Sequence, residues 1–98
     1  MSQLRFDWDP AKDALNRRKH RVSFAEASTV FSDEAALLID DPDHSGAEDR
    51  FILLGLSNRW RVLLVVHCYR ADDAVIRIIS ARTADRQERA RYAQRWHL

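Results

Sequence analysis

Apolar and polar residues alternate along residues 4–8, and this two-residue period predicts a short first strand. A helix is predicted to follow, because Asp9 can cap its amide groups and Pro10 suits its first position. Apolar residues continue at helical spacing as far as Leu15. Basic residues then crowd positions 17–21, where the helix dipole favours cations.

A second helix is predicted over residues 24–31. Ser23 and Glu26 have the spacing of a capping box, in which each side chain bonds the backbone of the other residue. The apolar residues that flank the box fit a hydrophobic staple, so this is the sharpest local signal in the chain.

The middle of the chain alternates apolar runs with turn-forming residues. Residues 36–39 predict a short strand, and the acidic stretch 40–49, with Pro42 and Gly46, predicts a loop. Three further strands are predicted over residues 51–56, 60–69 and 75–81. The second of these runs is apolar on both faces, which is typical of a central strand.

A last helix is predicted after Thr83, which can cap it, with Tyr92, Ala93 and Trp96 on its apolar side. This order predicts an α+β fold: a small antiparallel sheet with two N-terminal helices and a C-terminal helix, the helices being segregated from the sheet. The length of 98 residues is that of one domain, predicted over residues 1–98.

The last predicted hairpin groups several side chains by face. If Arg70 pairs with Val75, then Cys68 lies opposite Arg77, and the two arginines share one face with Cys68. The other face would carry His67, Tyr69, Ser80 and Arg82. A slip of one residue would reverse this grouping.

Composition and charge narrow the class of protein. There is one cysteine, no signal peptide is apparent, and the longest apolar run, residues 62–66, is far too short to span a membrane. We therefore expect a cytoplasmic protein with no membrane partner. The net charge is only +1, but residues 59–98 carry nine arginines and no lysine, which favours bidentate contacts with phosphate. The alternative for any one arginine is a solvated surface charge.

Few kinds of catalytic site fit this sequence. The four histidines lack the spacing of metal ligands, and neither a phosphate-binding glycine loop nor a nucleophile elbow occurs. We therefore expect no metal and no cofactor. Basic groups, histidines and acids suffice to cleave RNA, because the 2′-hydroxyl attacks the adjacent phosphate while a base and an acid move protons. Composition alone supports no more than a nucleic-acid-binding module.

Two blocks of residues resemble the pattern of the BrnT family of type II toxins. The first is similar to F-x-W-D followed by K, N and K-H, and consists of Phe6, Trp8, Asp9, Lys12, Asn16, Lys19, His20, Val22, Phe24 and Ala27. The second contains the R-I-I-S-A-R run, and consists of Val65, Val66, Arg70, residues 77–82, Ala84, Glu88 and Tyr92. Gly55 also stands where a glycine is usual. Arg21 departs from the pattern, which usually has a helix-ending glycine there, so the turn after His20 is expected to be strained or differently shaped.

The resemblance implies a RelE-like ribonuclease fold, endoribonuclease activity that inhibits translation, and neutralisation by a cognate antitoxin. Such antitoxins usually bind DNA, so operator DNA is expected to be bound only through the antitoxin. RNA is the implied substrate, and cleavage is expected to be independent of metal. The alternative is a non-catalytic module that binds RNA or a protein through the same arginines.

Eight residues are candidates for the site. The predicted catalytic residues are His20, Arg70, Arg77 and Glu88. The predicted RNA- or phosphate-binding residues are Lys12, Lys19, Ser80 and Arg82. Histidine is suited to proton transfer because it titrates near neutral pH, and arginines on strands would be held rigidly.

Each candidate also has a purely structural interpretation. His20 could bond the last carbonyl groups of its helix. Arg70 and Arg77 could pair with acidic residues of the hairpin turn or the acidic loop. Glu88 could pair with Arg91 or Arg95 along its helix. The histidine of the central strand and the three tryptophans are expected to pack in or around the core.

Overall fold

The computed structural model describes residues 4–40, 49–70, 72 and 74–95. In chain order its elements are β1 (Arg5–Asp7), α1 (Pro10–His20), α2 (Phe24–Thr29), a 3-10 turn (Val30–Ser32), β2 (Leu37–Asp40), β3 (Phe51–Leu56), β4 (Val62–Arg70), β5 (Val75–Thr83) and α3 (Arg86–Gln94). The predicted order of elements is therefore confirmed. The predicted acidic loop lies mostly outside the described residues, as do Ala71, Asp73 and Trp96. No helix in the described part of the chain is long and apolar enough to cross a membrane.

The five strands form one mixed sheet in the order β1-β5-β4-β3-β2. The strand pairs β2–β3, β3–β4 and β4–β5 are antiparallel. β1 runs parallel to β5, with Arg5 opposite Val75 and Asp7 opposite Arg77. The prediction of an antiparallel sheet is therefore wrong for this edge. The short strand has one inward side chain, Phe6, which packs against the main core.

The helix starts confirm two predicted caps and correct a third. Asp9 accepts a hydrogen bond from an α1 amide at 2.9 Å, and Ser23 accepts one from an α2 amide at 3.0 Å. Thr83, by contrast, is the last residue of β5, which extends beyond its apolar run. Asp85 caps α3 instead, in a reciprocal capping box with Glu88.

Only one half of the capping box predicted at Ser23 forms. The hydroxyl of Ser23 accepts from the backbone amide of Glu26, but the carboxylate of Glu26 binds other residues instead of the backbone of Ser23. It accepts hydrogen bonds from the guanidinium of Arg61, one of them at 3.0 Å, and from the hydroxyl of Ser57 at 2.7 Å. Burial by itself raises the pKa of Glu26, but these hydrogen bonds lower it more, so the buried carboxylate stays charged. This ion pair joins α2 to the turn between β3 and β4.

The helices cover both faces of the sheet. The main core lies under α1 and α2, and contains Val22, Phe24, Ala27, Val30, Leu53, Leu63, Val65, Ile78 and Ala81. A smaller cluster of Leu54, Ala84 and Tyr92 lies under α3. Successive residues of a strand point to opposite faces, so Leu53 and Leu54 belong to different clusters. The predicted segregation of the helices from the sheet is therefore not what the structure shows, because helices pack against both of its faces.

The tip of the β4–β5 hairpin has the predicted register. Arg70 pairs with Val75 and Cys68 pairs with Arg77. Residues directly opposite each other on antiparallel strands share a face. The two arginines therefore lie on the same face as Cys68, as predicted.

A β-bulge farther along the hairpin changes the rest of this grouping. The register shifts between Val66 and His67, so that Ser80 pairs with Val66. Ser80 and Arg82 thereby move to the face that carries Arg77. Their predicted placement with His67 is wrong, because one extra residue in β5 inverts the alternation of its side chains.

Candidate functional site

The part of β5 beyond Arg77 borders α1 instead of β1, and one buried side chain makes the contact. The side-chain NH2 of Asn16 donates to the carbonyl of Ala81 at 2.8 Å, and its oxygen accepts from the amide of Ala81 at 3.2 Å. The same NH2 donates to the carbonyl of Val22 at 2.8 Å. Asn16 thus supplies the hydrogen bonds of a neighbouring strand and fixes α1 against β5.

A cleft of about 230 Å³ lies between α1 and β5, beside Asn16. Its lining includes four of the predicted site residues, Lys12, Lys19, His20 and Ser80. Lys19 and His20 follow Lys12 by seven and eight positions, and two helical turns bring such positions to the same face of α1 as Lys12. Two lysines, a histidine and a serine therefore line one small space.

The turn after His20 contains the residue that departs from the family pattern. Arg21 adopts left-handed backbone angles, with φ 59° and ψ 33°, and its amide donates to the carbonyl of Arg17 at 2.9 Å. An arginine therefore occupies a conformation that glycine adopts more readily, as expected. The guanidinium of Arg61 donates to the carbonyl of Arg21 at 3.1 Å. His20 thus lies at a helix end that this hydrogen bond from Arg61 holds in place.

Arg77 contacts a carboxylate that the sequence pattern did not single out. Its Nη1 lies 2.6 Å from Asp7, the residue opposite it on β1. Arg77 thus has a carboxylate partner on β1, which belongs to neither the hairpin turn nor the acidic loop. Both side chains are partly exposed, so the pair orients the guanidinium more than it stabilises the fold. No local signal could have revealed Asp7, because 70 positions separate it from Arg77. Arg70 lies at the exposed end of β4.

Arg82 and Glu88 bind each other on the α3 side of the molecule. Hydrogen bonds of 2.8 and 2.9 Å join the two terminal guanidinium nitrogens to the two carboxylate oxygens. Glu88 also accepts from the amide of Asp85 at 2.8 Å. Glu88 thus binds Arg82 of β5, whereas the alternative partners named from the sequence are Arg91 and Arg95, which follow it along the chain. The guanidinium of Arg82 lowers the pKa of the Glu88 carboxyl, which weakens it as a general base.

α3 is anchored by Tyr92, whereas Ala93, predicted on the same apolar side, is exposed. The hydroxyl of Tyr92 donates to Asp33 at 2.5 Å, and the amide of Leu56 donates to the same oxygen at 2.8 Å. Burial by itself raises the pKa of Asp33, but these hydrogen bonds lower it more. A charged carboxylate therefore fastens α3 to β3.

Two aromatic side chains differ sharply in exposure. His67 is fully buried, with its ring centroid 4.8 Å from that of Phe31, and burial lowers its pKa. It is a neutral core residue, as expected. Trp60, in contrast, is 82% exposed, and the expectation that it packs around the core is wrong. Trp8 does pack, with its ring centroid 6.2 Å from that of Phe24.

The structure thus distributes the eight candidates over three places. The cleft contains Lys12, Lys19, His20 and Ser80; the hairpin tip contains Arg70 and Arg77; the α3 side contains Arg82 and Glu88. Ser80 lines the cleft and also shares a sheet face with both Arg77 and Arg82, so it links the three places. Among the described residues, no group of three or more His, Cys, Asp or Glu side chains could hold a metal ion.

Comparison with known proteins identifies a family. A family model described as the ribonuclease toxin BrnT of type II toxin–antitoxin systems matches residues 8–88, a range that contains all eight candidates. The crystal structure of the Brucella abortus ribonuclease toxin BrnT is similar in fold, with a TM-score of 0.64 and 21% sequence identity, covering 86% of this chain and 100% of that chain. No curated protein matches. The chain therefore belongs to the BrnT family of ribonuclease toxins of type II toxin–antitoxin systems.

Proposed function

We propose that this ribonuclease toxin cleaves RNA in the cleft between α1 and β5, by attack of a 2′-hydroxyl on the adjacent phosphate. The observation that carries the proposal is the convergence of Lys12, Lys19, His20 and Ser80 on one small space. The imidazole of His20 takes the proton of the 2′-hydroxyl as that oxygen bonds to phosphorus. The resulting imidazolium gives the proton to the 5′-oxygen as the bond between phosphorus and that oxygen breaks, since histidine exchanges protons near neutral pH.

The cations of the cleft supply the remaining chemistry. The phosphate gains negative charge in the transition state, and the ammonium groups of Lys12 and Lys19 stabilise that charge. The hydroxyl of Ser80 donates a hydrogen bond to a phosphate oxygen. Because side chains carry out both the proton transfer and the charge stabilisation, we expect cleavage to proceed without a divalent metal ion.

The arginines of the neighbouring sheet face have different roles in this proposal. The described contacts use one terminal nitrogen of Arg77 but both terminal nitrogens of Arg82. We therefore assign Arg77, oriented by Asp7, to phosphate binding. Arg70, at the exposed end of β4, is assigned to contacts with the RNA backbone outside the cleft. Glu88 then has an indirect role, because its carboxylate holds the guanidinium of Arg82 between β5 and α3.

Membership of a type II family implies a cognate protein antitoxin. We expect that antitoxin to cover the cleft with acidic and apolar residues, because a tight inhibitor must mask the phosphate ligands. We also expect it to bind operator DNA itself, so that the toxin reaches DNA only within the complex. The toxin then acts in the cytoplasm as a RelE-like domain over residues 1–98, and it inhibits translation by cutting RNA.

The test is cleavage of a single-stranded RNA by the purified chain in the presence of a strong chelator. We expect discrete fragments that end in a 2′,3′-cyclic phosphate, and a rate lowered by about 100-fold or more in His20→Ala. Arg18→Ala is the matched control, because Arg18 is an exposed cation of α1 outside the cleft lining. Activity that vanishes with the chelator and returns with a divalent cation would contradict the mechanism. Equal rates for the two variants would place the chemistry elsewhere.

A further inference from the structure

Trp60 lies in the turn between β3 and β4, and it is the most exposed large apolar side chain of the described residues. Its backbone has a φ of 62°, in the left-handed region where bulky side chains are rare and glycine is favoured. Neither burial nor backbone preference therefore accounts for a tryptophan at this position. A residue that costs the fold strain and gives it little packing indicates a contact outside the chain.

Hydrogen bonds fix the backbone of the turn that carries the indole. The amide of Ser57 donates to the carbonyl of Arg61 at 2.8 Å, and the amide of Trp60 donates to the carbonyl of Ser57 at 3.0 Å. The amide of Asn58 donates to the hydroxyl of Thr29 at 2.9 Å, which ties the turn to α2. Because this backbone is already ordered, little backbone entropy is lost when a ligand binds the ring.

A second cleft, of about 480 Å³, lies beside the ring. Its other lining residues are Thr29, Ser32, Asp33, Leu56, Ser57 and Asn58. All of these except Leu56 carry polar side chains, so the surroundings would bury an apolar anchor of a partner protein poorly. An unpaired nucleobase fits better, since it needs one flat ring to stack on and polar groups along its edge.

Arg61 connects this turn to the proposed catalytic cleft. It follows Trp60 in the chain, and its guanidinium donates to the carbonyl of Arg21, one residue after His20. The exposed Arg59 precedes Trp60. The guanidinium of Arg61 is itself bound to Glu26, so the cations left for a phosphate here are the exposed Arg21 and Arg59, at the two ends of this connection. Their positions suit the backbone of a bound RNA strand.

We infer that Trp60 is a stacking platform for an unpaired base of the RNA substrate, and that the polar cleft beside it contacts the edge of that base. This inference rests on the proposed ribonuclease site, because it extends the path of the substrate away from His20. The turn would then contribute to the affinity for the substrate and to the preference for a particular base near the cleaved bond.

The inference is tested with a short single-stranded RNA, whose 2′-O-methyl form resists cleavage and reports affinity by fluorescence anisotropy. Trp60→Ala is expected to weaken the affinity and to raise KM for the unmodified RNA by about 10-fold, with kcat little changed. Trp60→Tyr keeps an aromatic ring and should retain most of the affinity. Leu38→Ala is the control, because Leu38 is exposed on β2 and lines neither cleft, so this variant should bind RNA as the unsubstituted chain does.

A glycine variant separates binding from folding. Trp60→Gly relieves the left-handed backbone, so it should unfold at a temperature at least as high as that of the unsubstituted chain while losing RNA affinity as Trp60→Ala does. Weaker binding that accompanies full stability supports a ligand contact. An equal loss of affinity and of folded protein would instead overturn the inference.

The outcomes also separate this inference from the proposed function. If the unsubstituted chain cleaves RNA and Trp60→Ala matches it in KM and affinity, the stacking platform is wrong and the ribonuclease site stands. If Trp60→Ala binds RNA normally but changes the molar mass measured by light scattering, the indole is a contact between protein chains and the inference is wrong. If the unsubstituted chain neither binds nor cleaves RNA, the proposed function fails with it.

Discussion

Two regions of the molecule use similar side chains in opposite ways. One is the cleft between α1 and β5, and the other is the set of polar contacts around β3 and α3. In the cleft, Lys12, Lys19 and His20 line an open space. In the contacts around β3 and α3, by contrast, carboxylates accept several hydrogen bonds each from cations, hydroxyls and backbone amides. Glu26 binds Arg61 and Ser57, for example.

This difference separates the groups that hold the fold from the groups that are available to a ligand. Removing one partner of a buried ion pair leaves a charge without compensation, which is costly. Exposed cations contribute little to stability, and a phosphate can replace the water around them. Substitutions among the carboxylate contacts should therefore lower stability, whereas substitutions at the cleft should alter activity and leave stability unchanged or raised.

The largest expected effect is the loss of the buried carboxylate in Glu26→Ala. The substitution leaves Arg61 beside the core without its partner, and we expect the free energy of unfolding to fall by about 3–5 kcal/mol. Urea unfolding measures this loss. Glu34→Ala, at an exposed position, should change stability by no more than about 0.5 kcal/mol. Equal stability of the two variants would show that the ion pair does not hold α2 to the sheet.

Gly55→Ala tests how tightly β3 approaches the 3-10 turn. A Cβ at Gly55 would lie 2.8 Å from Cβ of Ala36 and 2.8 Å from Cγ1 of Val30, and 3.1 Å from the carboxylate of Asp33. We expect the backbone to shift and stability to fall by about 1–3 kcal/mol in thermal unfolding. A melting temperature equal to that of the unsubstituted chain would disprove this close approach.

The buried His67 makes stability depend on pH in a range where the carboxylates do not. Burial lowers its pKa from the ordinary 6.5, so below that pH the unfolded chain binds a proton that the folded chain excludes. With respect to His67, the free energy of unfolding therefore has its full value above about pH 6.5. It falls as the pH drops below that value, by at most about 1.4 kcal/mol per pH unit. The carboxylates of Glu26 and Glu88 have pKa values below 4.5, so their contribution is lost only in more acidic solution.

His67→Phe should remove the dependence near neutral pH, because its ring neighbours Phe31 and Phe51 accept another aromatic side chain. The measurement is the free energy of unfolding at several pH values between about 5 and 8. A slope that persists in the variant would mean that another group causes it.

The smallest expected effect is a gain in stability, from a substitution beside the cleft. Arg21→Gly relieves the left-handed backbone after His20 and should stabilise the protein by about 0.5–1 kcal/mol in urea unfolding. Arg21→Ala is the matched control, since it removes the same side chain but keeps the strained backbone. If both variants gain equally, the charge rather than the backbone conformation is responsible.

Local structure was predictable from the sequence because it depends on residues only a few positions apart. The caps at Asp9 and Ser23 follow from single side chains next to helical patterns, and both are present. The strand predicted over residues 51–56 coincides with β3. The spacing of Lys12, Lys19 and His20 along one helix also brings them to one cleft.

The tertiary structure alone decided how distant segments meet. It made β1 parallel to β5, brought Asp7 to Arg77, and gave Glu26 a partner 35 positions away. It also placed a bulge that moved Ser80 and Arg82 to the face of Arg77. The sequence indicates such pairings only weakly, because their free energy depends on the packing of the whole sheet and both helix layers rather than on neighbouring residues.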